Sequence, residues 1–225
     1  MLSSIVNFDQ NLTLAVNGSD SSVMDSMMLL ITSTWVWLPM GIYMLYYIYN
    51  KVGLKYCLCV LGGILLCVLI ADSVSSGIVK PLVGRWRPAR DPQLMYLVDV
   101  VNGYRGGRFG FFSSHAANTM SVALFVSWVL RNRLTTVLLI LWSLLNCWSR
   151  VYLGVHYVGD ILVGLVCGVL VAGIVILIFR RLTPKLNLDV DSGIMPVNFQ
   201  LSTFSVNAAI LITYALIAVM PYLLS

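Results

Sequence analysis

Apolar residues run along this chain in long blocks whose lengths suit a lipid bilayer. A hydrocarbon core about 30 Å thick takes about 20 residues of helix, and lipid offers no partner to an unpaired backbone group. Six segments meet that requirement, approximately 26–49, 54–79, 113–131, 133–152, 157–180 and 203–224. Only Arg131, Asn132 and Arg133 separate the third from the fourth, which predicts a tight helical hairpin. Pro81 is predicted to break the second span and leave Lys80 as its last helical residue. Residues 5–20 keep a different rhythm: Ile5, Phe8, Leu12 and Val16 recur at helical spacing while Asp9, Asn11 and Asn17 fall elsewhere. That pattern predicts an amphipathic helix lying in the interface. Lacking the basic region of a secretory leader, it is expected to be retained. The expected fold is an all-α integral membrane protein of six transmembrane helices. It forms one domain over 1–225, with an interfacial segment at 1–25 and neither an internal repeat nor a second domain.

Composition agrees and narrows the class. With 59% hydrophobic and 10% charged residues and a mean hydropathy of +0.89, a water-soluble fold is excluded. All nine acidic residues are aspartates and the formal charge is +5, which favours anionic partners. The cysteines at 57, 59, 67, 147 and 167 lie within or at the edges of apolar runs, in no disulfide framework and at no zinc spacing. No carboxylate cluster suits a metal, so neither metal nor cofactor is expected.

The positive charge also orients the chain. Lys51 and Lys55, Arg131 and Arg133, and Arg180, Arg181 and Lys185 mark loops on one side, which the positive-inside rule makes cytoplasmic. Tyr43, Tyr46, Tyr47 and Tyr49 fit an aromatic belt there. The other seven basic residues, Lys80, Arg85, Arg87, Arg90, Arg105, Arg108 and Arg150, fall on the opposite side, against that bias. Something other than topology must hold them there.

The two histidines, His115 and His156, both fall at the outer ends of spans, where an ionisable side chain is costly and suggests function. His156 opens a helix in SRVYLGVHYVGD, and Asp160, four residues on, lies on the same face. A carboxylate there can fix the imidazole in one tautomer and leave its other nitrogen free as a nucleophile. A helix-terminal charge is the weaker account of Asp160, and a loop carbonyl bond is the plain alternative for either histidine. Ser113 and Ser114 precede a helix in GFFSSHAANT; they can cap it, or join His115 in binding an anion at the helix start. In KPLVGRWRP, Lys80 can snorkel, and Arg85, Arg90, Arg105 and Arg108 can bind lipid headgroups. Asp72, on the helical face of Ser76 and Lys80, is expected to bond to serines or backbone within the bundle.

Lys80, six residues, then Arg87-Pro88; Ser113-Ser114-His115; and Ser149-Arg150, five residues, His156, three residues, Asp160 form three spaced motifs. They resemble the signature of the type 2 phosphatidate phosphatase superfamily, which includes membrane lipid phosphate phosphatases and vanadium haloperoxidases. The resemblance spans residues 80–160 and uses both histidines. It implies that Lys80, Arg87 and Arg150 hold phosphate and that Ser113 hydrogen-bonds it, with Ser114 offering its N–H. It further implies His156 as nucleophile, Asp160 as its orienting group and His115 as general acid. Phe112 and Ser114 depart from the family's usual Pro-Ser-Gly-His.

The function so implied is metal-independent hydrolysis of a membrane lipid phosphate through a phosphohistidine. The site would face outward from a bacterial inner membrane. Undecaprenyl diphosphate, a lipid A phosphate, phosphatidylglycerophosphate and phosphatidate all suit it, and the extra arginines suit a multiply charged headgroup. The lipid and its bilayer are the partners expected; no nucleic acid and no obligatory protein partner is implied. Two rivals are a phosphotransferase using the same histidine and a transporter with Asp72, Lys80 and Asp160 along an ion path.

Overall fold

Every long apolar block forms a helix, as the need to pair backbone groups inside lipid requires. A computed structural model describes residues 2–182 and 203–224; Lys185 lies outside them. Helix α1 covers Leu2–Val16, α2 Ser22–Thr32, α3 Thr34–Val52 and α4 Leu54–Asp72. A π-helical stretch, Ser73–Val79, joins α4 to the short α5, Lys80–Val83. Then come α6 (Ser114–Leu130), α7 (Arg133–Tyr152), α8 (Val158–Leu182) and α9 (Phe204–Leu224). Among the described residues, four helices are long and apolar enough to cross a membrane: Leu54–Val83, α7, α8 and α9. The pair α2 and α3, bent by 49°, makes a fifth candidate when counted as one broken span.

Two sequence expectations change. The first span is two helices that break at Ser33, whose extended backbone ends α2, while Pro39 sits inside α3. The second span does not stop before Pro81. In the wide π-turn the Lys80 N–H bonds back to Ser75 O, and the helix runs on to Val83 before Gly84 turns it at a φ of 62°. Pro81 has no N–H to place, so it costs little at the start of a short helix. Lys80 is therefore held inside a helix, one turn from its end.

Helix α6 is the axis of the bundle. Its capping Ser113 accepts the Ala116 N–H, and eleven of its residues, including Ala117, Ala123, Phe125 and Val129, are buried. Close approach to α8 is set by the two glycines of a GxxxG pair. A Cβ on Gly164 would lie 2.6 Å from Ser113 O, and one on Gly168 would lie 2.7 Å from Ala117 O. Those glycines serve packing within this chain, and they bring the start of α8 against the start of α6. Leu162, Val166 and Leu170 on the outer face of α8 are exposed, as a lipid-facing row should be. Of the tyrosine belt, Tyr46 and Tyr49 are exposed while Tyr47 turns into the core.

Candidate active site

The end of α5, the start of α6, the end of α7 and the turn before α8 lie at one end of the bundle, and each carries part of the three motifs. His156 stands in that turn, 1% exposed. Its Nδ1 lies 3.4 Å from Asp160 Oδ2, and the ring also meets the Gly110 backbone. At 3.4 Å the carboxylate contact is long for a hydrogen bond. Asp160 is fully buried and shares its oxygens among three donors: Oδ2 also takes the Tyr157 N–H at 3.2 Å, and Oδ1 takes Arg85 Nη1 at 2.9 Å. It is thus a helix cap, an ion-pair partner and a neighbour of the imidazole together.

Three cations face the same ring. Arg87, 8% exposed, donates from Nε to Phe109 O and from Nη1 to Val155 O. Arg150, 3% exposed, donates to Thr32 Oγ1 at 2.6 Å and to the Tyr104 hydroxyl at 2.9 Å, while its Nε is buried without a partner among the described residues. Lys80 Nζ donates to Ser114 Oγ at 3.0 Å and to Ser76 Oγ at 3.2 Å; Ser76 in turn donates to Asp72 Oδ1. So Asp72 bonds a serine, as expected. Ser114, where the family usually has glycine, uses its hydroxyl to steady Lys80. Ser113 is buried, capping α6 through Oγ and donating its N–H to Asp160 O at 3.0 Å. His115, on the first turn of α6, lies within electrostatic reach of His156, Arg87, Arg150 and Lys80. It also lines a cavity of about 270 Å³ with Asn118, Thr119, Trp142 and Asn146.

Electrostatics follow from this crowding. Burial first, then Arg87, Arg150 and Lys80, push the His156 imidazole well below its ordinary pKa, so it is neutral at pH 7 and has a free lone pair. Burial and then Arg150 lower Arg87 to about 10, which still leaves it charged. In the unfolded chain His156 takes up a proton near pH 6.5, and in the folded one it does not. Its contribution to stability is therefore complete above that pH and lost as pH falls through the folded value. Between pH 7 and pH 5 the melting temperature of His156→Gln should fall less than that of the unmutated protein, as read by detergent-compatible thermal unfolding. Equal falls would show that the ring carries no such linkage.

The four outer arginines divide. Arg90 donates to Gly106 O and Arg105 to Ala89 O, both tying down the 85–112 loop. Arg108 is exposed and stacks on Trp86 and Phe109. Arg85 points inward, donating to Asp160 and Asp9. Sequence reasoning missed Asp9, Thr32 and Tyr104 because no motif spacing ties them to the site. The signal for Asp9 was present: Asp9, Thr13 and Asn17 make a polar stripe at intervals of four, and all three bond to protein.

Comparison with known proteins gives the same picture. The PAP2 superfamily model matches residues 57–184. The lipid A 4'-phosphatase of Porphyromonas gingivalis is 39% identical over 169 residues, covering 74% of this chain and 71% of that protein. The lipid A 4'-phosphatase of Bacteroides thetaiotaomicron is 35% identical over 190 residues, covering 84% of each. The crystal structure of a transmembrane PAP2 type phosphatidylglycerolphosphate phosphatase from Bacillus subtilis superposes with a TM-score of 0.61 at 20% identity, over 79% of this chain and 87% of that one. That last likeness is one of fold.

Proposed function

We propose, since this chain belongs to the PAP2 superfamily and is a membrane lipid phosphatase, that its substrate is a lipid A phosphate and its intermediate a phosphohistidine on His156. The observation that carries the reading is the convergence of two imidazoles and three cations at the mouth of an apolar groove. The cavity beside His115 shares Thr34, Trp37, Val68, Val122 and Trp142 with a second cavity of about 330 Å³. This second cavity continues between α3, α4 and α6, past Gly41, Ile48 and Val60. From Thr34 to Ile48 the helix rises about 21 Å, more than half of a bilayer core of about 30 Å. A phosphate at the cationic end with an acyl chain in the groove satisfies both halves.

In this reading the neutral Nε2 of His156 attacks phosphorus in line, and the bond from phosphorus to the lipid oxygen breaks. Lys80, Arg87 and Arg150 gather the equatorial oxygens, whose stabilisation supplies most of the catalysis in phosphoryl transfer. His115, which takes up a proton once the bound phosphate's negative charge offsets the three cations, gives it to the departing oxygen, then takes one from the water that attacks the phosphohistidine; the bond from nitrogen to phosphorus breaks and phosphate leaves. Asp160 holds the Nδ1 side of the ring. The site faces the outer leaflet, since Lys51, Lys55, Arg131, Arg133, Arg180 and Arg181 mark the opposite end of the bundle. The bacterial relatives support an inner-membrane location, with residues 80–160 as the catalytic part of a single domain.

Purified protein should release phosphate from lipid A in preference to phosphatidate, phosphatidylglycerophosphate or undecaprenyl diphosphate, and should do so undiminished in a chelator. Release restored only by a divalent ion would refute the cationic account, and a preference for another lipid would refute the substrate. The groove makes a separate prediction. A Cβ on Gly41 meets nothing within 4 Å and Gly41 lines the shaft, so a leucine there has room to start into it. Gly41→Leu should weaken kcat/KM for a long-chain lipid phosphate by about tenfold, at roughly 1–3 kcal/mol per misfitted group in an apolar pocket. A short-chain phosphate should turn over unchanged; equal loss on both would remove the groove from the account.

A further inference from the structure

The N-terminal helix does more than lie beside the bundle. Asp9 on α1 uses both carboxylate oxygens on the site's own elements: Oδ1 accepts the Gly159 N–H at 2.8 Å and Oδ2 accepts Arg85 Nη2 at 2.7 Å. One turn on, Thr13 Oγ1 accepts the Val158 N–H at 3.1 Å. Free amides at the start of α8, the helix that carries Asp160, are thus capped by side chains about 150 residues earlier in the chain. The seat is close-fitting, since a Cβ on Gly159 would lie 2.8 Å from Asp9 Oδ2. Arg85 spans the gap between Asp9 and Asp160 with its two terminal nitrogens, its guanidinium carbon 3.9 Å above the Tyr157 ring. The side chains of Arg85, Asp9 and Asp160 are only 24%, 14% and 0% exposed.

Capping alone does not account for this bridge. The two amides of α8 need Asp9 and Thr13, not Arg85. Pairing alone does not account for it either: Arg85 with Asp160 only would bring the pair to zero net charge and quench the carboxylate beside the imidazole. A second carboxylate shares the guanidinium, so the Asp9–Arg85–Asp160 group keeps one formal negative charge, set against the three cations that face His156. We propose that Asp9 and Arg85 are positioning residues, through which the N-terminal helix fixes Asp160 against His156 and preserves that charge as the ring is phosphorylated. The inference rests on the reading of His156 as nucleophile. When Nε2 bonds to phosphorus the imidazole turns cationic, and the remaining negative charge stabilises it in a buried site where charges are weakly screened. Neither residue touches substrate, so the effect belongs in kcat and not in KM.

The test uses the full-length protein in detergent or liposomes, with lipid A as substrate. Asp9→Asn keeps an oxygen for the Gly159 amide and loses the charge; kcat should fall about ten- to a hundredfold, as for other residues that orient a reacting group, with KM within about twofold. Arg85→Lys keeps the charge and loses the fork that spans two carboxylates. It leaves the α8 cap untouched, so it answers even where Asp9→Asn fails to fold, and its kcat should fall likewise. Thr13→Val removes the neighbouring cap only and should lower the melting temperature with kcat unchanged. Wild-type kcat in both Asp9→Asn and Arg85→Lys would overturn the inference, as would a Thr13→Val loss of kcat equal to that of Asp9→Asn. Wild-type protein that releases no phosphate, or His156→Ala that releases it normally, would instead overturn the reading beneath it.

Discussion

His156→Ala should lose phosphate release by a factor of at least about a thousand while folding normally. The residual rate would come from a pocket that still binds and polarises the phosphate. The size of the effect follows from the proposed role. The ring supplies the atom that bonds to phosphorus, and two neighbours are poorly placed to replace it: Asp160 is fully buried, and Ser113 is buried with its Oγ engaged as a helix cap. Substrate binding should survive, because Lys80, Arg87 and Arg150 are held by Ser114, Phe109, Val155, Thr32 and Tyr104 and not by His156. The check is the rate of phosphate release beside lipid binding by the same variant. Undiminished release would leave the activity without its nucleophile and overturn the role given to His156.

Asp160→Asn should cost about a thousandfold in kcat, by the logic of an orienting carboxylate whose amide analogue presents a donor where an acceptor is required. Three donors converge on Asp160: Arg85 Nη1, the Tyr157 N–H and, in the tautomer that frees Nε2, His156 Nδ1. A carboxylate can accept all three; an asparagine has one acceptor oxygen and must turn its NH₂ toward a donor. Either the ring loses its tautomer or Arg85 keeps a half-buried charge with one partner fewer, so stability drops as well. Measuring kcat together with the melting temperature separates the two. A fall in melting temperature with kcat near the unmutated value would make Asp160 a structural ion-pair residue.

The spans and the site were legible to different depths. Apolar blocks of about 20 residues have one solution in lipid, so the helices at 133–152 and 203–224 sit within a residue or so of where hydropathy places them. The break at Ser33 and the π-turn at Ser73–Val79 were not legible, because each keeps a membrane-compatible composition while altering only which amide bonds which carbonyl. Lys80, Arg87, His115, Arg150, His156 and Asp160 stood out through three spaced motifs, and the helices and turn they flank bring them to one end of the bundle. Arg85 was read as a headgroup ligand because its true partners stand 75 and 76 residues away. Its inward turn depends on the whole bundle closing around Asp160. Arg90 and Arg105 were likewise read as able to bind headgroups, and carbonyls of their own loop engage them.

The proposed catalysis runs through a covalent bond between phosphorus and His156. Purified His115→Ala protein, in which hydrolysis of the intermediate is slowed, should be mixed with a lipid phosphate carrying a labelled phosphoryl group, quenched at high pH and digested. The label should appear on the peptide containing His156, should be stable to base and labile to acid, and should be absent from the His156→Ala protein. Rapid turnover with no label on that peptide, or label on a serine, would contradict it.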